Sequence, residues 1–123
     1  MIESFRDLTV WQKSMVLAER TYAVSQKLPK DETFGLVSQL RRVSVSIPSN
    51  IAEGMGIGGR GYLRHLRIAL GSEAELQTQI ELAVRLKMIS REEAEPLVAQ
   101  ASEVGRMLIG LLRSLLRAGG QLE

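Results

Sequence analysis

The chain of 123 residues contains no cysteine and only one histidine, which excludes a disulfide framework and a thiolate metal site. Aromatic residues make up 4% of it and prolines number three, a composition that favours helices over strands. The apolar runs near the C-terminus are interrupted by arginines and are far too short to span a membrane. The first residues show no basic region followed by an apolar run, so we expect no signal peptide, no membrane partner and a cytoplasmic location. A net charge of +2 does not by itself indicate a nucleic-acid or membrane partner.

The segment 39–61 carries the most unusual local pattern, and one interpretation of it is a nucleotide-binding loop. Apolar and serine residues alternate over 43–47, as in a short strand, and glycines follow at the spacing G-x-G-x-x-G: Gly54, Gly56 and Gly59. Strand, glycine loop and helix in this order cradle a phosphate in dinucleotide-binding folds. Such a fold needs several parallel strands, and this chain offers one, which Pro48 interrupts.

The other interpretation of the segment is a helix. Apolar residues continue at helical intervals from Leu36 to Ile51, with Pro48 inside the pattern. We therefore predict that 44–48 is helical but bent, and that Gly54 and Gly56 end the helix.

Helical periodicity extends to the whole chain and predicts an all-α fold. Ser90 and Glu93 have the spacing of a capping box, which places a helix start there. We predict one domain, residues 1–123, folded as an antiparallel up-and-down four-helix bundle. The predicted helices occupy about residues 8–28, 32–55, 60–88 and 91–117.

The first and last helices each carry two apolar stripes, although a monomeric bundle needs one per helix. In the first helix we assign Trp11, Met15 and Tyr22 to the core. The remaining stripes would leave a large apolar surface in water, which predicts a homo-oligomer. The candidate interface residues are Val10, Leu17, Val24, Val98, Ile109, Leu112 and Leu116.

Enzymatic chemistry finds little support in the sequence. His65 lies between arginines at 64 and 67 and is interpreted as a surface residue, and no Glu-x-x-His pair for a di-iron site exists. Glu73 and Glu75 face different sides of a helix and form no carboxylate dyad. We predict no catalytic residue, no metal and no cofactor.

Six arginines form the clearest charge pattern. Three follow one face at the start of the third helix and three lie in the last half of the fourth, so an antiparallel bundle collects them at one end. They are Arg60, Arg64, Arg67, Arg106, Arg113 and Arg117. One interpretation is a solvated face with acidic partners such as Glu53 and Glu103. The other is an anion-binding surface, above all for RNA phosphates.

Three stretches make the chain resemble a known family. They are LTVWQKSM, FGLVSQLRRVSVSIPSNIAEGMG and LRIALGSEAEL, of which S-I-P-S-N-I-A-E-G, residues 46–54, is the most specific. The chain resembles, over roughly 5–116, the bacterial four-helix-bundle proteins encoded in intervening sequences of 23S rRNA genes. The chain departs from the family pattern at three positions: Ile57 stands where Arg is frequent, Gly59 where a Ser cap is frequent, and Glu73 where the family is usually apolar.

The resemblance implies an up-and-down bundle, commonly a homopentamer, and no known catalytic residues. It also implies kinship with the accessory proteins of diversity-generating retroelements, basic pentamers that bind nucleic acid and a reverse transcriptase. We therefore expect a non-enzymatic oligomeric scaffold that associates with RNA, a ribonucleoprotein or a nucleic-acid-processing protein. The alternative is a protein-only adaptor without nucleic-acid binding.

Overall fold

The computed structural model describes residues 4–118, and this part of the chain forms four long helices and no strand. The helices are α1 (Thr9–Ser25), α2 (Leu36–Ile57), α3 (Gly59–Arg85) and α4 (Arg91–Arg117). Short 3-10 turns, Phe5–Asp7 and Lys30–Glu32, precede α1 and α2. The all-α prediction is confirmed, and the predicted helix boundaries differ from the observed ones by up to four residues.

The helices form a four-helix bundle in which each one packs on its neighbours in the chain and α4 returns to α1. Two ion pairs show that α1 and α4 run antiparallel. Lys13, early in α1, lies 3.1 Å from Glu103, and Lys27, just after α1, lies 2.6 Å from Glu93 near the start of α4. No helix within residues 4–118 is long and apolar enough to cross a membrane.

Helix α2 continues through Pro48, as the apolar pattern predicts, so the strand interpretation of 43–47 is wrong. The prediction that Gly54 and Gly56 end this helix is also wrong, because it extends to Ile57. Gly58 ends it with φ of 76°, a left-handed conformation that suits glycine. Gly54 instead lies buried inside the helix, where α3 approaches closely.

The core face of α1 differs from the sequence assignment. Leu17 is fully buried and Val10 is 5% exposed, whereas Met15 and Tyr22 are 38% and 40% exposed. The assignment of Met15 and Tyr22 to the core is therefore wrong, and Val10 and Leu17 are core residues rather than surface residues available to a partner.

The reason is that three small hydroxyl residues share the true core face of α1 and weaken its apolar pattern. Ser14, Thr21 and Ser25 are buried, each with its hydroxyl donating to a carbonyl one turn earlier in the helix. Local bonds of this kind satisfy the hydroxyls and remove most of the cost of burying them. This face of α1 therefore looks polar in the sequence, although its residues are buried in the core.

Leu112 requires the same correction on α4. It is 8% exposed and belongs to the hydrophobic core, so it is not an accessible interface residue. Val24 and Val98 are half-buried against the core, while Ile109 and Leu116 remain 38% and 50% exposed.

Candidate functional site

One face of the most specific sequence motif, residues 46–54, contacts α3. The Ser46 hydroxyl lies 2.9 Å from the hydroxyl of Ser72 on α3. The Asn50 amide nitrogen donates to the Ser46 carbonyl at 2.8 Å, and its oxygen lies 2.8 Å from Nδ1 of His65. The motif therefore supplies a polar seam between two helices and not a phosphate loop.

His65 belongs to this seam, so its interpretation as a surface residue is wrong. The residue is 9% exposed, and the bond from the Asn50 amide to Ser46 leaves the Asn50 oxygen as an acceptor. Nδ1 of His65 must therefore carry the proton that it shares with Asn50. The role of this histidine is to join α3 to α2.

A second polar seam joins α3 to α4. The buried carboxylate of Glu73 accepts a hydrogen bond from the Gln77 amide, which also donates to the Ser102 hydroxyl at 3.2 Å. A side chain at Gly105 would meet the Glu73 carboxylate at 2.7 Å, so glycine makes room for the acid. These contacts fix the register in which α3 and α4 run side by side.

The register brings five of the six arginines toward one end of the bundle, while Arg106, next to Gly105, lies nearer its middle. At 1.5 Å per residue, Arg67 lies about 9 Å from Glu73 along α3, and Arg113 lies about 12 Å from Gly105 in the same direction. Arg60 and Arg64 on α3, and Arg117 on α4, lie further toward that end. All six arginines are exposed, and none forms an ion pair or a hydrogen bond within residues 4–118. We call these six residues the arginine end.

The acidic residues that form ion pairs pair with other cations. Glu103, which one interpretation assigned to the arginines, binds Lys13, and Glu75 lies 3.3 Å from Arg42. Glu81 forms ion pairs with both Arg85 and Arg91. The arginine end therefore keeps its positive charge, whereas five cations elsewhere on the bundle have an acidic partner: Lys13, Lys27, Arg42, Arg85 and Arg91.

At the opposite end of the bundle, Glu81 and Glu93 accept hydrogen bonds from neighbouring side chains. Hydrogen bonds from Arg91, and then Arg85, lower the pKa of Glu81 from 4.5 to about 2. Hydrogen bonds from Lys27, and then from Ser90, lower the pKa of Glu93 from 4.5 to about 2. Ser90 and Glu93 form the predicted capping box of α4.

These shifts predict acid sensitivity. Because the folded pKa lies below the unfolded value, both acids contribute stability above about pH 4.5, and it is lost as the pH falls toward 2. We expect the Tm of the wild type to fall between pH 6 and pH 2.5, and the E81Q/E93Q variant to start lower and fall less. Thermal scans by circular dichroism measure this, with Glu92→Gln, an exposed first-turn acid, as the control. An equal fall in the wild type and the double variant would contradict the assignment.

A groove between α1 and α2 forms a concave surface of about 670 Å³. We call it the α1/α2 groove; its lining is Trp11, Met15, Ala18, Glu19, Tyr22, Val45, Pro48, Ser49 and Ala52. It is almost wholly apolar, and the Arg41 guanidinium stacks over the Tyr22 ring at 4.8 Å. The sequence pattern places four of these residues, Trp11, Met15, Ala18 and Tyr22, in one apolar stripe and predicts that the stripe faces the core.

A family model and a solved structure are similar to most of this chain. The family model described as 23S rRNA-intervening sequence protein matches residues 6–110. The chain belongs to this family. A crystal structure from Bacteroides thetaiotaomicron, described as a protein with unknown function from the S23 ribosomal protein family, is similar with a TM-score of 0.78 and 27% identity. That similarity covers 85% of this chain and 95% of the other. A search of the curated proteins finds no match.

For this member of the 23S rRNA-intervening sequence protein family, the matched region contains both polar seams and most of the candidate site. It includes the three arginines of α3 and Arg106 on α4, and it ends before Arg113 and Arg117. Residues 46–54, on which the resemblance mainly rests, therefore have a structural role at the α2–α3 contact. The arginine end is a separate surface and needs its own functional explanation.

Proposed function

We propose that this family member is a non-enzymatic, cytoplasmic scaffold that forms a homo-oligomer and associates with RNA or a ribonucleoprotein through the arginine end. The observation that carries the proposal is the set of six exposed arginines without acidic partners in residues 4–118, gathered on two adjacent helices. The proposed assembly number of five, and the kinship with retroelement accessory proteins, rest on the family resemblance alone.

Phosphate is the ligand that suits this surface best. A guanidinium offers a rigid fork of donors that matches a phosphate and stays charged at every physiological pH. At the N-terminal end of α3, Arg60 and Arg64 gain nothing from the helix dipole, which favours anions there. An anion bound between these arginines and the start of α3 would be stabilised by the arginine charges and by the helix dipole.

The first test is RNA binding by fluorescence anisotropy, using a labelled single-stranded RNA of about 20 nucleotides and mixed sequence. Each lost phosphate contact lowers the slope of log affinity against log salt by about 0.7 for a single strand. We expect the R60A/R64A/R67A variant to bind about tenfold or more weakly at low salt, with a slope shallower by about 2. The loss should be the same for RNAs of different sequence, because phosphates carry no sequence information.

The matched control removes three cations that already have acidic partners: Lys13, Arg42 and Arg85. The K13A/R42A/R85A variant has the same net charge as the α3 variant, so a general charge effect would weaken both equally. We expect it to bind RNA nearly as well as the wild type. Equal losses in the two variants would contradict a local site.

A protein-only adaptor is the second candidate, and the apolar α1/α2 groove favours it because apolar grooves commonly accept a partner helix. Absence of RNA binding by the wild type even at low salt would make this candidate the better one.

A further inference from the structure

We propose that the α1/α2 groove of one copy binds the C-terminal half of α4 of a second copy, so that the oligomer is built from one head-to-tail contact. This deepens the proposed function and rests on its oligomeric part. The bound surface of α4, which we call the α4 row, consists of Ile109 and Leu116; Arg106, Arg113 and Arg117 flank it.

The order of the helices around the bundle places the two surfaces on opposite sides. Each helix packs on the next and α4 packs on α1, so the outer face shared by α1 and α2 lies opposite the outer face shared by α3 and α4. Ile109 and Leu116 follow Ser102 at intervals of seven residues, and Ser102 contacts Gln77 of α3, so the α4 row lies on the α3 side of α4. The two surfaces of one copy can therefore be covered only by two different neighbours. Such a contact propagates from copy to copy and ends when the rotation closes a ring.

The shape and chemistry of the two surfaces are complementary. The groove extends along α1 from Trp11 to Tyr22, about 16 Å, and the row from Ile109 to Leu116 covers about 10 Å, so the row fits within it. The groove is concave and lined mainly by apolar side chains, while both residues of the row are exposed branched aliphatics. Burying them removes the exposed apolar area that a monomer would keep.

Charge supports a second copy as the occupant. Glu19 lines the groove and forms no ion pair within residues 4–118. Beside the α4 row, the three arginines lie about 40 to 100° around the helix from Ile109 and Leu116, so they would stay at the rim of a buried contact. A groove-to-groove pair would instead bring two copies of Glu19 to the same interface and leave the α4 row in water.

The test uses one groove variant and one row variant, each with a matched control. Val45→Glu places an acid in the groove, and Val16→Glu is its control, because both valines are 42% exposed and Val16 lies outside the groove. Ile109→Glu disrupts the row, and Ile68→Glu is its control, because both isoleucines are 38% exposed. All four sites are half-exposed on helices, so glutamate should be tolerated by the fold, which circular dichroism verifies.

Light scattering coupled to size exclusion at micromolar concentration gives the readout. We expect oligomers for the wild type and both controls, and monomers for V45E and for I109E alone. Mixing V45E with I109E should yield a 1:1 heterodimer, because the intact row of the first chain meets the intact groove of the second, and no further contact can form.

Each other result overturns the proposal. If I109E alone remains oligomeric, the contact does not use the α4 row. If V45E alone remains oligomeric, the contact does not use the groove. If folded V45E and I109E stay monomeric when mixed, the two surfaces do not meet. If the wild type is itself a monomer, the oligomeric part of the proposed function fails as well, whereas RNA binding is judged separately by the arginine variants.

Discussion

Replacing Gly54 by valine is expected to destabilise the protein by about 3 kcal/mol or more, whereas the same change at Gly56 should alter stability by less than about 0.5 kcal/mol. The two glycines are two residues apart in α2 and belong to the same G-x-G spacing. A Cβ at Gly54 would lie 2.8 Å from the Cβ of His65 and 3.2 Å from the Tyr62 ring. At Gly56 nothing lies within 4 Å of the added atom.

The difference arises because the clash at Gly54 involves an atom that cannot move without its backbone. The Cβ of His65 is fixed to α3, and the histidine ring is held by Asn50, so α2 and α3 would have to separate. Separation would also stretch the bond between the hydroxyls of Ser46 and Ser72. At Gly56 the new side chain enters open space, and valine is slightly better than glycine inside a helix.

Urea unfolding followed by circular dichroism measures both changes. A midpoint that falls strongly for Gly54→Val and hardly moves for Gly56→Val would confirm that helix packing requires glycine at position 54 but not at position 56. Equal effects at the two positions would mean that α2 and α3 are not in close contact at Gly54.

The sequence was sufficient for the fold class because each helix has a strong local cause. Ser90 and Glu93 fix the start of α4, and Leu28-Pro29 forces the chain out of helical geometry after α1. Pro48 was the main source of ambiguity. It removes one hydrogen bond from α2, yet the apolar face from Leu40 to Ile51 is buried and holds the helix together through tertiary packing.

The arginine end could also be predicted from the sequence, because it depends on helical spacing and antiparallel order alone. The acids that neutralise other cations could not. Glu103 lies near Arg106 along α4, yet its carboxylate binds Lys13 on α1, a contact between residues 90 positions apart. His65 was misassigned for a similar reason, since its partner Asn50 belongs to another helix.

The α1/α2 groove was missed because sequence periodicity gives the angle between two stripes but not which of them faces inward. On α1 the larger side chains, Trp11, Met15 and Tyr22, form the more apolar stripe in sequence. The inner position belongs to the stripe of Val10, Leu17 and small hydroxyl residues, since close helix packing favours small side chains there. Only the arrangement of the other three helices determines that choice.

The last prediction tests this choice directly by truncating one residue of each stripe. Leu17→Ala should cost about 2–5 kcal/mol, the range for a leucine fully enclosed in a core, because Leu17 has no exposed surface. Met15→Ala should cost less than about 1 kcal/mol in the folded protomer, since its side chain is 38% exposed and lies in the open groove.

Urea unfolding at a protein concentration too low for assembly measures the stability of the protomer alone. Light scattering at a higher protein concentration measures assembly. Leu17→Ala should lower the unfolding midpoint strongly. Met15→Ala should leave that midpoint nearly unchanged but weaken the oligomer, because the methionine lines the α1/α2 groove. If Met15→Ala destabilises the protomer as much as Leu17→Ala does, the larger stripe is the core after all. The surface available to a second copy would then be the stripe of Val10 and Leu17, because the other stripe of α1 would be turned outward.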